Sequence, residues 1–196
     1  MRVQRFITSS RFRSLAVAAG LLAMTTYAIG AEKPSAQPSK AAAVKLQIVD
    51  WKGVEKLVAS QKGKVVVVDI WTTTCSTCVE EFPKVVALQK KHGRDRLACI
   101  SVACDYDGIK GKPPKYYAKG VLKFLKKQNA TFDNVLLTVP FIDFLDQIDL
   151  NSTPALLVYG KDGKLVKRFD NDNVKKIADE FTFNEVESLV KKLIAE

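Results

Sequence analysis

The sequence is poor in the residues that most sites need. It has one histidine, His92, and four cysteines in 196 residues, with only one Cys-x-x-Cys spacing. A structural zinc site takes about four nitrogen or sulfur ligands, so a zinc centre would be short of partners. No apolar run reaches the ~20 residues of a membrane-spanning helix. The longest, Leu15 to Met24, is broken by Thr25, Thr26 and Tyr27. Residues 1–30 contain no acid and no cysteine, and the second absence excludes a lipid-modified cysteine at the end of that segment. The lysines between Lys110 and Lys127 lack the interleaved aromatics and groove motif of a nucleic-acid binder, so no nucleic acid is expected as a partner. They read first as a solvated face, and otherwise as a contact for an acidic partner or membrane surface.

The first thirty residues have the form of a secretory signal peptide. Arg2, Arg5, Arg11 and Arg13 precede a short apolar core, and Ala28-Ile29-Gly30 supplies small residues for cleavage. An uncleaved anchor is the other reading. The full chain carries a net charge of +10; with those four arginines removed, 27 basic residues face 21 acidic ones. Residues 31–43, with two prolines, two serines and five alanines, have linker composition. A single folded domain over residues 44–196 is expected, and 47% hydrophobic residues is ordinary for one.

Val65-Val66-Val67-Val68 is β-branched and unbroken by polar residues, which predicts a strand buried on both faces in the middle of a parallel sheet. The threonines Thr72 to Thr74 turn the chain. Val85, Val86 and Leu88 then continue at helical spacing, so a helix starts at or near Cys75 and runs over Pro83, which should kink it. Cys75 and Cys78 therefore stand where a central strand gives way to a helix. Free N–H groups and the positive dipole end there favour a thiolate. A redox pair, a structural disulfide and half of a metal site are the three readings of the motif. Cys75 would be the nucleophile and Cys78 the resolving thiol. Asp69, in an otherwise apolar strand, should be largely protonated or reach water. It and Glu81, one turn beyond Cys78, are candidate proton acceptors for Cys78.

The remaining elements follow from periodicity. A short strand at Leu46–Val49 and a helix around Val54, Leu57 and Val58 precede the central strand. His92-Gly93 reads as a helix end with a capping or exposed histidine. Leu97 to Ala103 is a strand parallel to the valine strand. Asp105 to Lys119 reads as a polar loop, followed by a helix through Val121 and Leu125 and a strand at Val135–Leu137. Phe141 to Ile148 suggests another helix. Ala155–Tyr159 and Leu165–Phe169 make a hairpin around Gly160 to Lys164. A last helix carries Val186, Leu189, Val190, Leu193 and Ile194 behind a Thr182/Glu185 capping box. Cys99 and Cys104 cannot pair if their strand stays extended, because five residues at ~3.3 Å separate them by roughly 16 Å against the ~7 Å a disulfide tolerates. Cys99 reads as an apolar filler. Cys104, at the carboxyl edge of the sheet, is expected near the dithiol as a free thiol, read either as an inert strand-end thiol or as a third thiol able to exchange with Cys75.

Asp69, Trp71, Cys75, Cys78, Glu81, Phe82 and Pro83 together resemble the thioredoxin superfamily, and within it the TlpA/ResA-like extracytoplasmic thiol–disulfide oxidoreductases. The resemblance spans roughly residues 44–196. It implies an α/β thioredoxin-like fold: a central mixed β-sheet flanked by helices, with an extra helix-strand insertion over residues 116–139. It implies a reductase whose Cys75–Cys78 disulfide exchanges with cysteines of exported proteins and is fed by a membrane electron donor, with no cofactor and no metal. It also implies a cis-proline at Pro154 facing the dithiol, with Thr153 offering its backbone to a substrate chain and Trp71 and Thr74 beside it. Thr74 stands where the family usually has Trp, and Thr77 where many members have Pro. Two other functions compete. One is a chaperone holding Cu(I) between two thiolates, against which the badly placed His92 argues. The other is a thiol peroxidase, whose Pro-x-x-x-Thr-x-x-Cys pattern is missing because Val68 stands at the proline position.

Overall fold

The computed structural model describes residues 43–176 and 179–196. The expected signal segment, and the expected linker up to residue 42, lie outside the described residues. Six strands form one mixed sheet: β1 (Gln47–Val49), β2 (Val65–Trp71), β3 (Leu97–Ala103), β4 (Asp133–Leu137), β5 (Ala155–Tyr159) and β6 (Leu165–Phe169). Their spatial order is β1-β4-β3-β2-β5-β6. The first four are parallel; β5 runs antiparallel to β2, and β6 to β5. Five helices join or flank them: α1 (Trp51–Ser60), α2 (Ser76–His92), α3 (Pro114–Gln128), α4 (Phe141–Gln147) and α5 (Phe183–Ala195). Among the described residues no helix is long and apolar enough to cross a membrane.

The valine run does what its lack of polar residues requires. All seven residues of β2 are buried. Alternation along a strand sends successive side chains to opposite faces. Val66, Val68 and Ile70 pack with Val54 of α1 and Phe144 of α4. Val65 and Val67 pack with Val85 and Leu88 of α2 and Val186 and Val190 of α5. Trp71 continues that second face into a cluster with Phe82 and Val86 of α2 and Val121 and Leu125 of α3. Position 69 therefore faces α2. The same alternation splits the spare cysteines: Cys99 packs on the α2 and α5 side, and Cys104 on the α1 and α4 side.

The α3–β4 pair is the expected helix-strand insertion, and β4 enters the sheet between β1 and β3. Two expectations change. Asp105–Lys119 is not all loop, because α3 begins at Pro114. Two adjacent prolines look like a break, yet proline at a first helical position gives up only an N–H that had no partner there. His92 is in the last turn of α2 as expected, but it is buried rather than exposed, and its Nε2 has no partner. Burial first, then Lys91 and Arg96, lowers its pKa. Gly93 ends α2 with φ +74°, a conformation that favours glycine, and its N–H reaches the Gln89 carbonyl at 3.1 Å.

Phe82 is 1% exposed and meets Trp71 and Phe124 edge-to-face at ring-centroid distances of 5.0 and 5.1 Å. Phe82→Ala should lower unfolding stability by roughly 3–5 kcal/mol, the range for emptying a buried aromatic site. Urea titration of the oxidised protein measures this; a loss under 1 kcal/mol would mean that the cluster does not hold α2 to the sheet.

Candidate functional site

Strands β2 and β3 end together, with Trp71 opposite Ala103. The chain leaving β2 makes a tight turn: the Cys75 N–H meets the Thr72 carbonyl at 3.3 Å, and the Thr72 and Thr74 hydroxyls bond at 3.0 Å. The turn is fastened to the chain leaving β3. Cys104 N–H donates to the Trp71 carbonyl at 2.8 Å. Asp105 Oδ1 accepts from the Thr73 N–H at 3.1 Å and also from the Thr73 hydroxyl.

That turn delivers Cys75 as the N-cap of α2. Cys75 and Cys78 form a disulfide with Cα atoms 5.2 Å apart. The Cys78 backbone N–H points at Cys75 Sγ from 3.1 Å. In the reduced protein this donor and the helix dipole stabilise negative charge on Cys75. Cys75 is half-buried and reachable, whereas Cys78 is 2% exposed. The two sulfurs thus have unequal access to a substrate. On the open side, Cys75 Sγ lies 3.6 Å from the Thr153 carbonyl oxygen. The Thr153–Pro154 bond is cis. Thr153 and Pro154 are half-buried, and Thr74 is exposed.

Beneath the dithiol, Asp69 shares a crevice of about 10 Å³ with Cys78, Glu81, Pro154 and Leu156, walled by Phe181 and Phe183. That is room for about one water. Burial, then the charge of Glu81, raises the Asp69 pKa to about 7. A carboxyl with such a pKa exchanges protons at neutral pH, as a general acid–base group must. Glu81 itself is paired with Lys84 at 2.6 Å near the surface.

The structure brings together Cys75, Cys78, Asp69, Glu81, Thr153 and Pro154. Trp71 is a correction. It is fully buried, with its indole N–H on Ser101 Oγ at 3.1 Å, so it supports the site from the core and presents nothing to a substrate. The even alternation from Val65 and Val67 through Asp69 to Trp71 turns it inward. Cys104 is a second correction. It is unpaired, as expected, but its side chain is 1% exposed on the sheet face away from α2, and burial raises its pKa. It cannot exchange with Cys75 from there. Cys99 is likewise a buried free thiol with a raised pKa.

Sequence reasoning missed Asp105 and Thr73. Asp105 Oδ2 is buried without a partner, and burial raises the pKa of this carboxyl despite its two bonds from Thr73. The available signal was an acid two residues past the end of a central parallel strand, at the edge where the neighbouring strand releases Cys75.

Asp69 has a stability consequence of definite sign. Its folded pKa, about 7, lies above the 3.8 of an ordinary aspartate, so between these values the folded state holds the extra proton. Stability therefore falls as pH rises through that window, and the loss is complete above pH 7. Asp69→Asn should unfold at higher urea than the parent at pH 8, by roughly 4 kcal/mol if the whole shift is expressed, and the advantage should shrink towards pH 4. A stability difference that is independent of pH would show that Asp69 is not a buried titrating group.

Among curated proteins, none matches the sequence. Solved structures show the same fold at low identity. A thioredoxin-like superfamily protein superposes with a TM-score of 0.54 at 17% identity, covering 71% of this chain and 85% of its own. A thiol-disulfide isomerase from Corynebacterium glutamicum gives 0.52 at 17%, covering 70% and 85%. A thiol:disulfide interchange protein of the thioredoxin family from Chlorobium tepidum gives 0.50 at 21%, covering 69% and 83%. The fold is thioredoxin-like, and it carries a Cys-x-x-Cys pair at disulfide distance. The Redoxin family pattern matches residues 36–189, most of the sequence, and the chain belongs to the Redoxin family.

Proposed function

We propose that this protein is a thiol–disulfide oxidoreductase of the TlpA/ResA-like kind, working as a reductase on cysteines of exported proteins. One observation carries the reading: Cys75 Sγ sits at the head of α2, 3.1 Å from the Cys78 N–H, and faces the Thr153 carbonyl, while Cys78 is buried above Asp69. The residues suit the two halves of an exchange. The Cys75 thiolate attacks a substrate disulfide, forming a mixed disulfide and releasing one substrate thiolate. The Thr153 backbone and Pro154, with Thr74 at the exposed rim, hold the substrate chain. Asp69 takes the Cys78 proton, directly or through the crevice. The Cys78 thiolate then attacks Cys75 Sγ, and the second substrate thiolate leaves. The substrate gains two electrons, and the protein is left with its Cys75–Cys78 disulfide. A membrane electron donor restores the dithiol. The arginine-rich, apolar start of the sequence supports an extracytoplasmic location, with that segment cleaved or kept as an anchor.

Cys78→Ser should accumulate mixed disulfides at Cys75 with cysteine-containing proteins of the same compartment, and Cys75→Ser should accumulate none. Equal yields from both variants would end the assignment of nucleophile and resolver. In the reduced parent, alkylation across a pH series should modify Cys75 first, with a midpoint below the ~8.5 of a free cysteine.

Asp69→Asn should slow release of the mixed disulfide by roughly tenfold or more, within the range of a positioned proton acceptor, and leave its formation nearly unchanged. Stopped-flow reaction with a disulfide peptide separates the two phases. A uniform slowing would reject the proton-accepting role.

A further inference from the structure

The carboxyl edge of the sheet carries a second feature beside the dithiol. From Gly108 to Phe132 the sequence has seven lysines and no acid. None of these lysines forms an ion pair with any described residue. Four of them, Lys110, Lys112, Lys115 and Lys119, lie in the loop leaving β3 or in the first half of α3, at the edge where β2 delivers Cys75. Large apolar side chains are exposed among them: Ile109 at 47% and Tyr116 at 61%. Lys112 Nζ lies 5.4 Å from the Tyr116 ring centroid. The start of α4 closes the same rim, since Gly108 approaches Pro140, the Phe141 N–H bonds the Tyr106 carbonyl at 2.7 Å, and Ile142 is 64% exposed. Within the loop Asp107 is engaged by Tyr117, the acid-free stretch ends at Asp133, and α4 carries Asp143 and Asp146.

Exposed isoleucines and a tyrosine set among unpaired lysines at the mouth of a reactive site have the chemistry of a recognition surface. We infer that this rim, formed by the loop after β3, the start of α3 and the start of α4, docks an acidic, partly apolar segment of the substrate protein lying next to the disulfide to be reduced. The inference rests on the exchange reading above and adds the kind of substrate. The rim is joined directly to the dithiol turn through the Thr73–Asp105 bonds, so a segment bound there is in reach of Cys75. An anionic membrane is the less suitable occupant, because a bilayer seated on this rim would cover Cys75.

The test uses the pre-reduced full chain in single turnover against two peptides with the same disulfide, one flanked by Asp, Glu and Leu and the other by Lys and Leu. Each rate is divided by the same variant's rate on the small neutral disulfide 2-hydroxyethyl disulfide. At low salt the acidic peptide should react roughly tenfold faster, and the preference should collapse in 0.5 M salt, as steering between opposite charges does. Lys110→Glu/Lys112→Glu/Lys115→Glu should bring the ratio to one or below. Tyr116→Ser/Ile142→Ser should lower the normalised rate on the acidic peptide several-fold. Equal rates on both peptides in the parent, or a preference that survives the triple charge reversal, would overturn the inference. So would sedimentation with phosphatidylglycerol vesicles that the triple variant loses, in the absence of a peptide preference; the lysines would then meet a membrane. Failure on 2-hydroxyethyl disulfide itself would remove the exchange reading, and the docking inference with it.

Discussion

Everything in the site hangs on β2. A strand paired on both sides and covered on both faces has no freedom to shift by one residue, because a one-residue slip would exchange its two faces. β3 and β5 fix it laterally, and α1 and α4 on one face and α2 and α5 on the other fix it vertically. The register that buries Val65 and Val67 beneath α2 also puts Asp69 under that helix, and it releases the chain at Trp71 so that the next turn starts α2 with Cys75. Strand, carboxyl and thiol are therefore placed by one constraint. The fold needs no separate device to aim the dithiol at Pro154, because β5, which follows that proline, is the antiparallel partner of β2.

The same constraint sets two electrostatic environments a few residues apart. Cys75 meets free helix N–H groups, which favour charge on sulfur. Asp69 meets an apolar layer and the neighbouring charge of Glu81, which favour the neutral acid. In the proposed exchange the first environment readies the Cys75 thiolate, and the second lets Asp69 hold the proton that Cys78 gives up. Burying a carboxyl destabilises the folded chain at neutral pH, so the strand gives up some stability to keep this acid under the dithiol.

Much of this was legible in the residues because the signals are local. Four consecutive valines, a cysteine pair at a strand-to-helix junction and the hydrophobic stripe of α5 each specify their own element. The misses come from information that local pattern does not hold. Trp71 has the chemistry of a contact residue, but the side it faces is decided by strand parity, and only the packed sheet shows that this side is closed. Cys104 lies at the expected edge, yet the same parity turns its thiol away from α2. Pro113-Pro114 signals a break in isolation and begins a helix in context. Thr73 and Asp105 are separated by 32 residues and become partners only because β2 and β3 pair in register and end together.

Cys99 of β3 and Cys104, the residue just past its end, pack on opposite faces of the sheet, one in each of the two layers that clamp it, and neither is bonded. A reagent added to the reduced protein finds Cys75 at once, since that sulfur is reachable in the native fold. The two buried thiols can be labelled only when the layer above them lifts. They are built-in clocks for opening, one for the α1 and α4 layer and one for the α2 and α5 layer. Their relative labelling rates would tell whether the sheet sheds one layer before the other or loses both in a single cooperative event.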